Sequence, residues 1–142
     1  MEAGPGPQDN LPIKTPEGPA PPRVLIVDDE PLLCRLLCRC LAGRYATRTC
    51  GNGDQAIAEL LADPAYDVIL CDLMMPVSGP EVFAAVTARH PQLAPRFLFL
   101  SGAAFTPESR AFLARTRAPV LDKPFEVADV RRAVAAVLAK GK

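Results

Sequence analysis

Residues 24–31 read Val-Leu-Ile-Val-Asp-Asp-Glu-Pro, four apolar residues running into three acids and a proline. A β-branched run that is apolar at odd and even positions alike buries both faces of a strand, as the interior of a parallel sheet requires. Pro31 suits the first turn of a helix, where the missing amide N–H costs nothing. A doubly buried strand, a turn and a helix start make half of a βαβ unit.

The chain repeats this unit. Leu33, Leu36, Leu37, Cys40 and Leu41 recur at helical spacing until Gly43 ends the helix. Residues 45–50 alternate like a half-exposed strand, and Gly51-Asn52-Gly53 reads as a turn. Residues 54–62 carry Ile57, Leu60 and Leu61 on one helical face. Residues 68–71 form a third strand that runs into Asp72, and residues 81–89 a third helix closed by His90-Pro91. Phe97-Leu98-Phe99-Leu100 is a fourth strand ending at Ser101. Thr106 caps a helix with Pro107 at its first position, extending to about residue 115. Val120-Leu121 is a short fifth strand, and Val127, Val130, Val134 and Val137 line a fifth helix. Five strands each followed by a helix predict a doubly wound α/β fold, because parallel neighbours need right-handed crossovers.

Residues 1–22 are rich in Pro and Gly and hold only Leu11 and Ile13 as sizeable apolar groups, so a disordered tail or linker is expected ahead of one domain at 23–140. The 142 residues suffice for one core. Sixteen basic residues balance sixteen acidic ones, which argues against nucleic acid or an anionic membrane as the main partner. No apolar run approaches a membrane span, and the acidic, proline-rich start is unlike a secretory signal, so a cytoplasmic location is expected. Five cysteines without a CxxC pair read as small hydrophobes with no metal or redox role, although Cys34 and Cys38, four apart, are expected to share an exposed helix face.

In a doubly wound sheet, ligands bind outside the carboxyl ends of the strands. Those ends carry Asp28-Asp29, Asp72, Ser101 and Asp122-Lys123-Pro124. Alone, each has a plainer reading: an aspartate before Pro31 is a helix cap, and Ser101-Gly102 a turn. Together they make one chemistry. Three crowded carboxylates repel unless a cation joins them, and Mg²⁺ is a hard ion suited to oxygen donors and phosphate. A carboxylate can attack phosphorus to form an aspartyl phosphate, while a lysine steadies the transferred charge.

The stretches VLIVDDEP, DVILCDLMMPVSGPE, FLFLSG and VLDKPF resemble those of response-regulator receiver domains of two-component signalling, over about residues 23–139. The resemblance implies a flavodoxin-like sheet of order 2-1-3-4-5 with five helices, and a signalling phosphoacceptor that catalyses only its own phosphorylation and dephosphorylation. It implies Asp72 as phosphoacceptor, with Asp29 and Asp72 as direct Mg²⁺ ligands, Asp28 acting mainly through water, and Met74 offering its backbone carbonyl. Ser101 and Lys123 match the hydroxyl and the lysine that meet the phosphoryl group, and the Lys123-Pro124 bond is expected to be cis. The implied donor is a phosphohistidine on a histidine kinase or histidine phosphotransfer domain, with no small-molecule substrate beyond phosphodonors. His90, the single histidine, suits a helix C-terminus.

Three positions depart from the pattern or shape it. Val120 stands where many receivers carry an aromatic switch, so a muted response to phosphorylation is expected. Met74 and Ala103 match positions that govern water access, and neither can orient water, so slow to moderate self-dephosphorylation is expected. With no output domain expected after the fifth helix, the chain reads either as a stand-alone regulator or as the C-terminal receiver of a hybrid histidine kinase. A scaffold that is never phosphorylated has no need of repelling buried carboxylates. An aspartyl-nucleophile phosphatase needs a second acid where Met74 stands, and a flavodoxin-like cofactor binder needs a phosphate-cradling loop after the first strand.

Overall fold

A computed structural model describes residues 20–102 and 106–140. Five strands, β1 (Arg23–Val27), β2 (Ala46–Cys50), β3 (Val68–Asp72), β4 (Phe97–Ser101) and β5 (Val120–Asp122), form one parallel sheet in the order β2-β1-β3-β4-β5. Helices α1 (Pro31–Leu41), α2 (Gly53–Ala62), α3 (Gly79–Arg89), α4 (Pro107–Thr116) and α5 (Val127–Lys140) connect or follow them. The expected fold class and strand order are found. A sixth helical segment, a short 3-10 helix over Pro91–Arg96, lies between α3 and β4 and buries Leu93. Most of residues 1–22, and Ala103, lie outside the described residues. Among the described residues no helix is long and apolar enough to cross a membrane.

The inner strands divide their side chains between two layers, as the two-residue period dictates. Leu25, Val27, Ile69, Cys71, Phe97 and Phe99 pack on the side that also holds Leu60, Val82, Val86 and Phe112. Val24, Ile26, Val68, Leu70, Leu98 and Leu100 pack on the other, with Leu37, Leu41, Val130, Val134 and Val137. Both layers are built of buried apolar side chains, so polar groups of the inner strands gather at the ends.

Three expectations need correction. Leu36 is not on the buried arc of α1 but is 44% exposed, and Leu32 is 74% exposed; Cys34 takes the inward place instead. The inward place comes with a contact outside the helix: the Cys34 thiol donates to the Asp28 carbonyl, beyond the end of β1, at 3.4 Å. Cys34 and Cys38 therefore do not share an exposed face, and burial pushes the Cys34 thiol up to about 11. Third, α2 and α3 begin earlier than their apolar residues suggest. Asn52 caps α2 by accepting from Gln55 N, and Ser78 with Glu81 forms a reciprocal capping box that starts α3 at Gly79. Thr106 caps α4 as expected, accepting from Ser109 N at 3.0 Å.

Candidate functional site

The carboxyl ends of β1, β3 and β5 bring four of the expected residues together. Carboxylate oxygens of Asp28, Asp29 and Asp72 all lie within 4.8 Å of one another. Asp28 and Asp72 are buried, whereas Asp29 is exposed. The Lys123 ammonium lies 3.1 Å from Asp28 Oδ2 and 3.5 Å from Asp72 Oδ2. The peptide bond after Lys123 is cis.

Backbone ladders aim these side chains. The Asp28 amide donates to Cys50 O at 3.2 Å, and the Lys123 amide donates to Ser101 O at 2.7 Å. In the sheet register Asp72 faces Leu100 on β4, so Ser101 is one residue further along, buried, opposite Asp122. Its hydroxyl donates to Gly102 O at 3.1 Å. The Met74 amide donates to Asp72 Oδ1 at 3.3 Å, which sets the rotamer of that carboxylate.

Two residues outside the expected set complete the site. The Glu30 amide donates to Asp28 Oδ1 at 2.9 Å, and its carboxylate lies 3.8 Å from the Lys123 ammonium. The signal for it was the third acid of the Asp28-Asp29-Glu30 run. The other is Gly79: a Cβ there would stand 2.8 Å from the Asp72 carbonyl oxygen and 3.0 Å from Leu73 Cα, so α3 can approach the Asp72 backbone only through a glycine. No local pattern announces that contact.

Charge is unbalanced in this pocket. Burial pushes the Asp72 carboxyl up to about 6, with repulsion from Asp28 adding to it and Lys123 opposing. Burial also works against the charged Lys123, but Asp72, Asp28 and Glu30 outweigh it and hold the ammonium above its ordinary range. One cation thus faces four carboxylates. A hard divalent cation fits this donor set: oxygen atoms only, three carboxylates within one coordination span, and one anion whose ionised form needs a further positive charge.

The raised Asp72 value has a consequence for stability. A carboxyl that binds its proton more tightly in the fold than in the open chain contributes stability that is present below its unfolded value of 3.8 and lost as pH rises through about 6. Asp72→Asn should remove this loss. Urea unfolding without divalent ions is expected to show the variant more stable by about 2 kcal/mol at pH 7.5, with the gap closing toward pH 4. Equal midpoints at pH 7.5 would contradict it.

A doubly wound sheet with an acidic, cation-ready pocket and a lysine at its carboxyl edge defines a recognisable class of α/β protein. The chain matches the family model described as response regulator receiver domain over residues 24–135 and belongs to that family. The chain is accordingly a receiver domain of two-component response regulators, a signalling phosphoacceptor family. It is similar to the transcriptional regulatory protein ResD of Bacillus subtilis (strain 168), with 48% identity over 62 residues, 42% of this chain and 25% of that protein. The match spans about a quarter of the curated relatives' own length. Chemotaxis protein CheY4 of Vibrio cholerae superposes with a TM-score of 0.72 at 30% identity, covering 84% of this chain and all of that one. An adenylate cyclase structure from Rhodopirellula baltica superposes with a TM-score of 0.76 at 26% identity, covering 85% of this chain and 90% of that one.

Proposed function

We propose that this chain accepts a phosphoryl group on Asp72 from a phosphohistidine of a histidine kinase or histidine phosphotransfer domain, and later loses it to water. The observation that carries the reading is the Lys123 ammonium set between the buried carboxylates of Asp28 and Asp72, at 3.1 and 3.5 Å. Asp72 is the nucleophile: its carboxylate oxygen forms the new P–O bond as the P–N bond to the donor imidazole breaks. Asp28, Asp29 and Asp72, with the Met74 backbone carbonyl, would hold Mg²⁺. When bound, Mg²⁺ neutralises the equatorial phosphoryl oxygens and keeps Asp72 ionised.

Lys123 already points at Asp72 and has only to exchange a carboxylate oxygen for a phosphoryl oxygen. Ser101 must release Gly102 O to donate to the phosphoryl group, a rotation about one side-chain bond. The donor approaches past α1, where Leu32 and Leu36 are exposed and Leu36 shares a cleft with Glu30 and Lys123, so that a helix bearing a phosphohistidine finds an apolar surface to bury. The even charge of the chain favours a protein partner over nucleic acid, and a cytoplasmic setting follows from the nature of the donor. The chain serves either as a stand-alone regulator or as the receiver of a hybrid histidine kinase.

A radiolabelled histidine phosphotransfer domain is the direct probe. The label should pass to the wild-type chain in the presence of Mg²⁺ and not to Asp72→Asn. Transfer to the variant would refute the assignment.

The response should be muted on one face. Val120 is half-buried in β5, paired with Phe99 of β4, and has no ring to swing into a space left by Ser101. Adding beryllofluoride and Mg²⁺ is expected to shift the amide signals of Asp72, Met74 and Ser101 strongly and those of β5 and α5 weakly. Large shifts along β5 and α5 would show that coupling needs no aromatic residue here.

A further inference from the structure

Glu30 sits at the acidic pocket without a part in the phosphoacceptor chemistry. It stands at the N-cap position of α1, where Ser, Thr, Asp or Asn ordinarily turns a side-chain oxygen to the free amides of the first turn. The Glu30 side chain makes no such bond, and its carboxylate lies instead 3.8 Å from the Lys123 ammonium. Its backbone is held on both sides. The amide donates to Asp28 Oδ1 at 2.9 Å, and the carbonyl oxygen accepts from the Cys34 amide at 3.1 Å. The side chain therefore springs from a fixed point.

Three carboxylates share Lys123, and only one of them is free to leave it. The Asp28 and Asp72 side chains are 0% and 6% exposed, against 67% for Glu30. Asp28 accepts a hydrogen bond from the ammonium at 3.1 Å, and Asp72 is the nucleophile itself. Glu30 also borders, with Lys123 and Gly102, a cleft of about 330 Å³. Gly102 directly follows Ser101, so the cleft adjoins both the lysine and the hydroxyl that a phosphoryl group would meet.

We propose that Glu30 is an exchangeable counter-ion of Lys123 that selects phosphodonors by their charge. It keeps the ammonium company until a phosphoryl oxygen takes its place, and a free anionic donor meets its carboxylate on the way in. No bond to Glu30 forms or breaks. Repulsion grows with the charge of the donor, so Glu30 holds back a more highly charged donor further than a less charged one. The inference rests on Asp72 as phosphoacceptor and adds to that reading a specificity-determining residue.

Acetyl phosphate and phosphoramidate provide the test, the second carrying less net negative charge at neutral pH because its nitrogen is protonated. The full chain is labelled in saturating Mg²⁺ with little added salt, and initial rates on Asp72 are read by intact mass and peptide mapping. Glu30→Gln is expected to label about fivefold faster than wild type from acetyl phosphate and about twofold faster from phosphoramidate. Both gains should shrink toward one as salt is raised. Asp54→Asn, which removes the same charge from an exposed position on α2, should leave both rates unchanged. A rate in Glu30→Gln no faster than wild type, equal gains from the two donors, or the same gain in Asp54→Asn would overturn the inference while Asp72 stands as phosphoacceptor. A wild-type chain that takes no label on Asp72 from either donor would defeat the phosphoacceptor reading, and this inference with it.

Discussion

Lys123→Ala is expected to slow the labelling of Asp72 by acetyl phosphate about 100-fold or more in saturating Mg²⁺, the size of loss that follows removal of one donor to a developing oxyanion. Lys123 is the only cation within 4 Å of the carboxylates of Asp28, Glu30 and Asp72 among the described residues. Its loss leaves a cluster of like charges with nothing from the protein to balance it. A fully buried pair broken this way costs about 3–5 kcal/mol, but the Lys123 side chain is 22% exposed, so about 1–2 kcal/mol at neutral pH is the expected loss without metal. Added Mg²⁺ should recover more stability in the variant than in the wild type. Initial rates by intact mass, and urea unfolding with and without Mg²⁺, read both effects. A labelling rate within twofold of wild type would remove Lys123 from the chemistry.

The second large effect is structural. Gly79→Ala would set a methyl group 2.8 Å from the Asp72 carbonyl oxygen, 3.0 Å from Leu73 Cα and 3.2 Å from the Phe99 ring. Two of these neighbours are backbone and cannot swing aside. Overpacking of this kind costs about 1–3 kcal/mol, and relief can come only by moving the turn that follows Asp72. The variant is expected to lose that stability in urea and to label more slowly even where it is fully folded. Gly51→Ala is the control, since its Cβ would meet only the Gln55 side-chain oxygen at 3.8 Å; a change within about 0.5 kcal/mol is expected. Equal midpoints for the two variants would show that α3 does not press on the Asp72 turn.

How far the sequence carries can be judged from these same residues. The doubly apolar runs at 24–27, 68–71 and 97–100 are buried throughout, and period and length alone identify them as inner strands. Their polar last residues then mark the edge at which Asp28, Asp72 and Ser101 lie. The arc of α1 was not legible in the same way. In Pro-Leu-Leu-Cys-Arg-Leu-Leu-Cys-Arg-Cys-Leu nearly every position is apolar, so spacing cannot tell Cys34, which is buried, from Leu36, which is open. The decision comes from a contact with the Asp28 carbonyl, which is tertiary.

Helix starts divide on similar grounds. The Ser78–Glu81 capping box is a local signal that a reading by apolar residues passes over. Gly53 reads as a turn residue but opens α2, and it is held to glycine by Val77, whose side chain and carbonyl oxygen would lie 2.5 Å from a Cβ. The 3-10 helix over Pro91–Arg96 hides behind two prolines that ordinarily signal a break. Reading all five cysteines as packing residues suits the four that are buried, while Cys38 lines a cavity that no pattern along the chain discloses.

The measurement that bears most directly on the whole account is the location of the acid-stable, base-labile phosphoryl group after incubation with acetyl phosphate, with Mg²⁺ and again with Mg²⁺ chelated. Tandem mass spectrometry should find one phosphoryl group, on Asp72, in the first sample and essentially none in the second. A group on any other residue, or equal labelling of Asp72 without the metal, would contradict the claim that a cation-balanced acidic pocket makes this carboxylate the phosphoryl carrier.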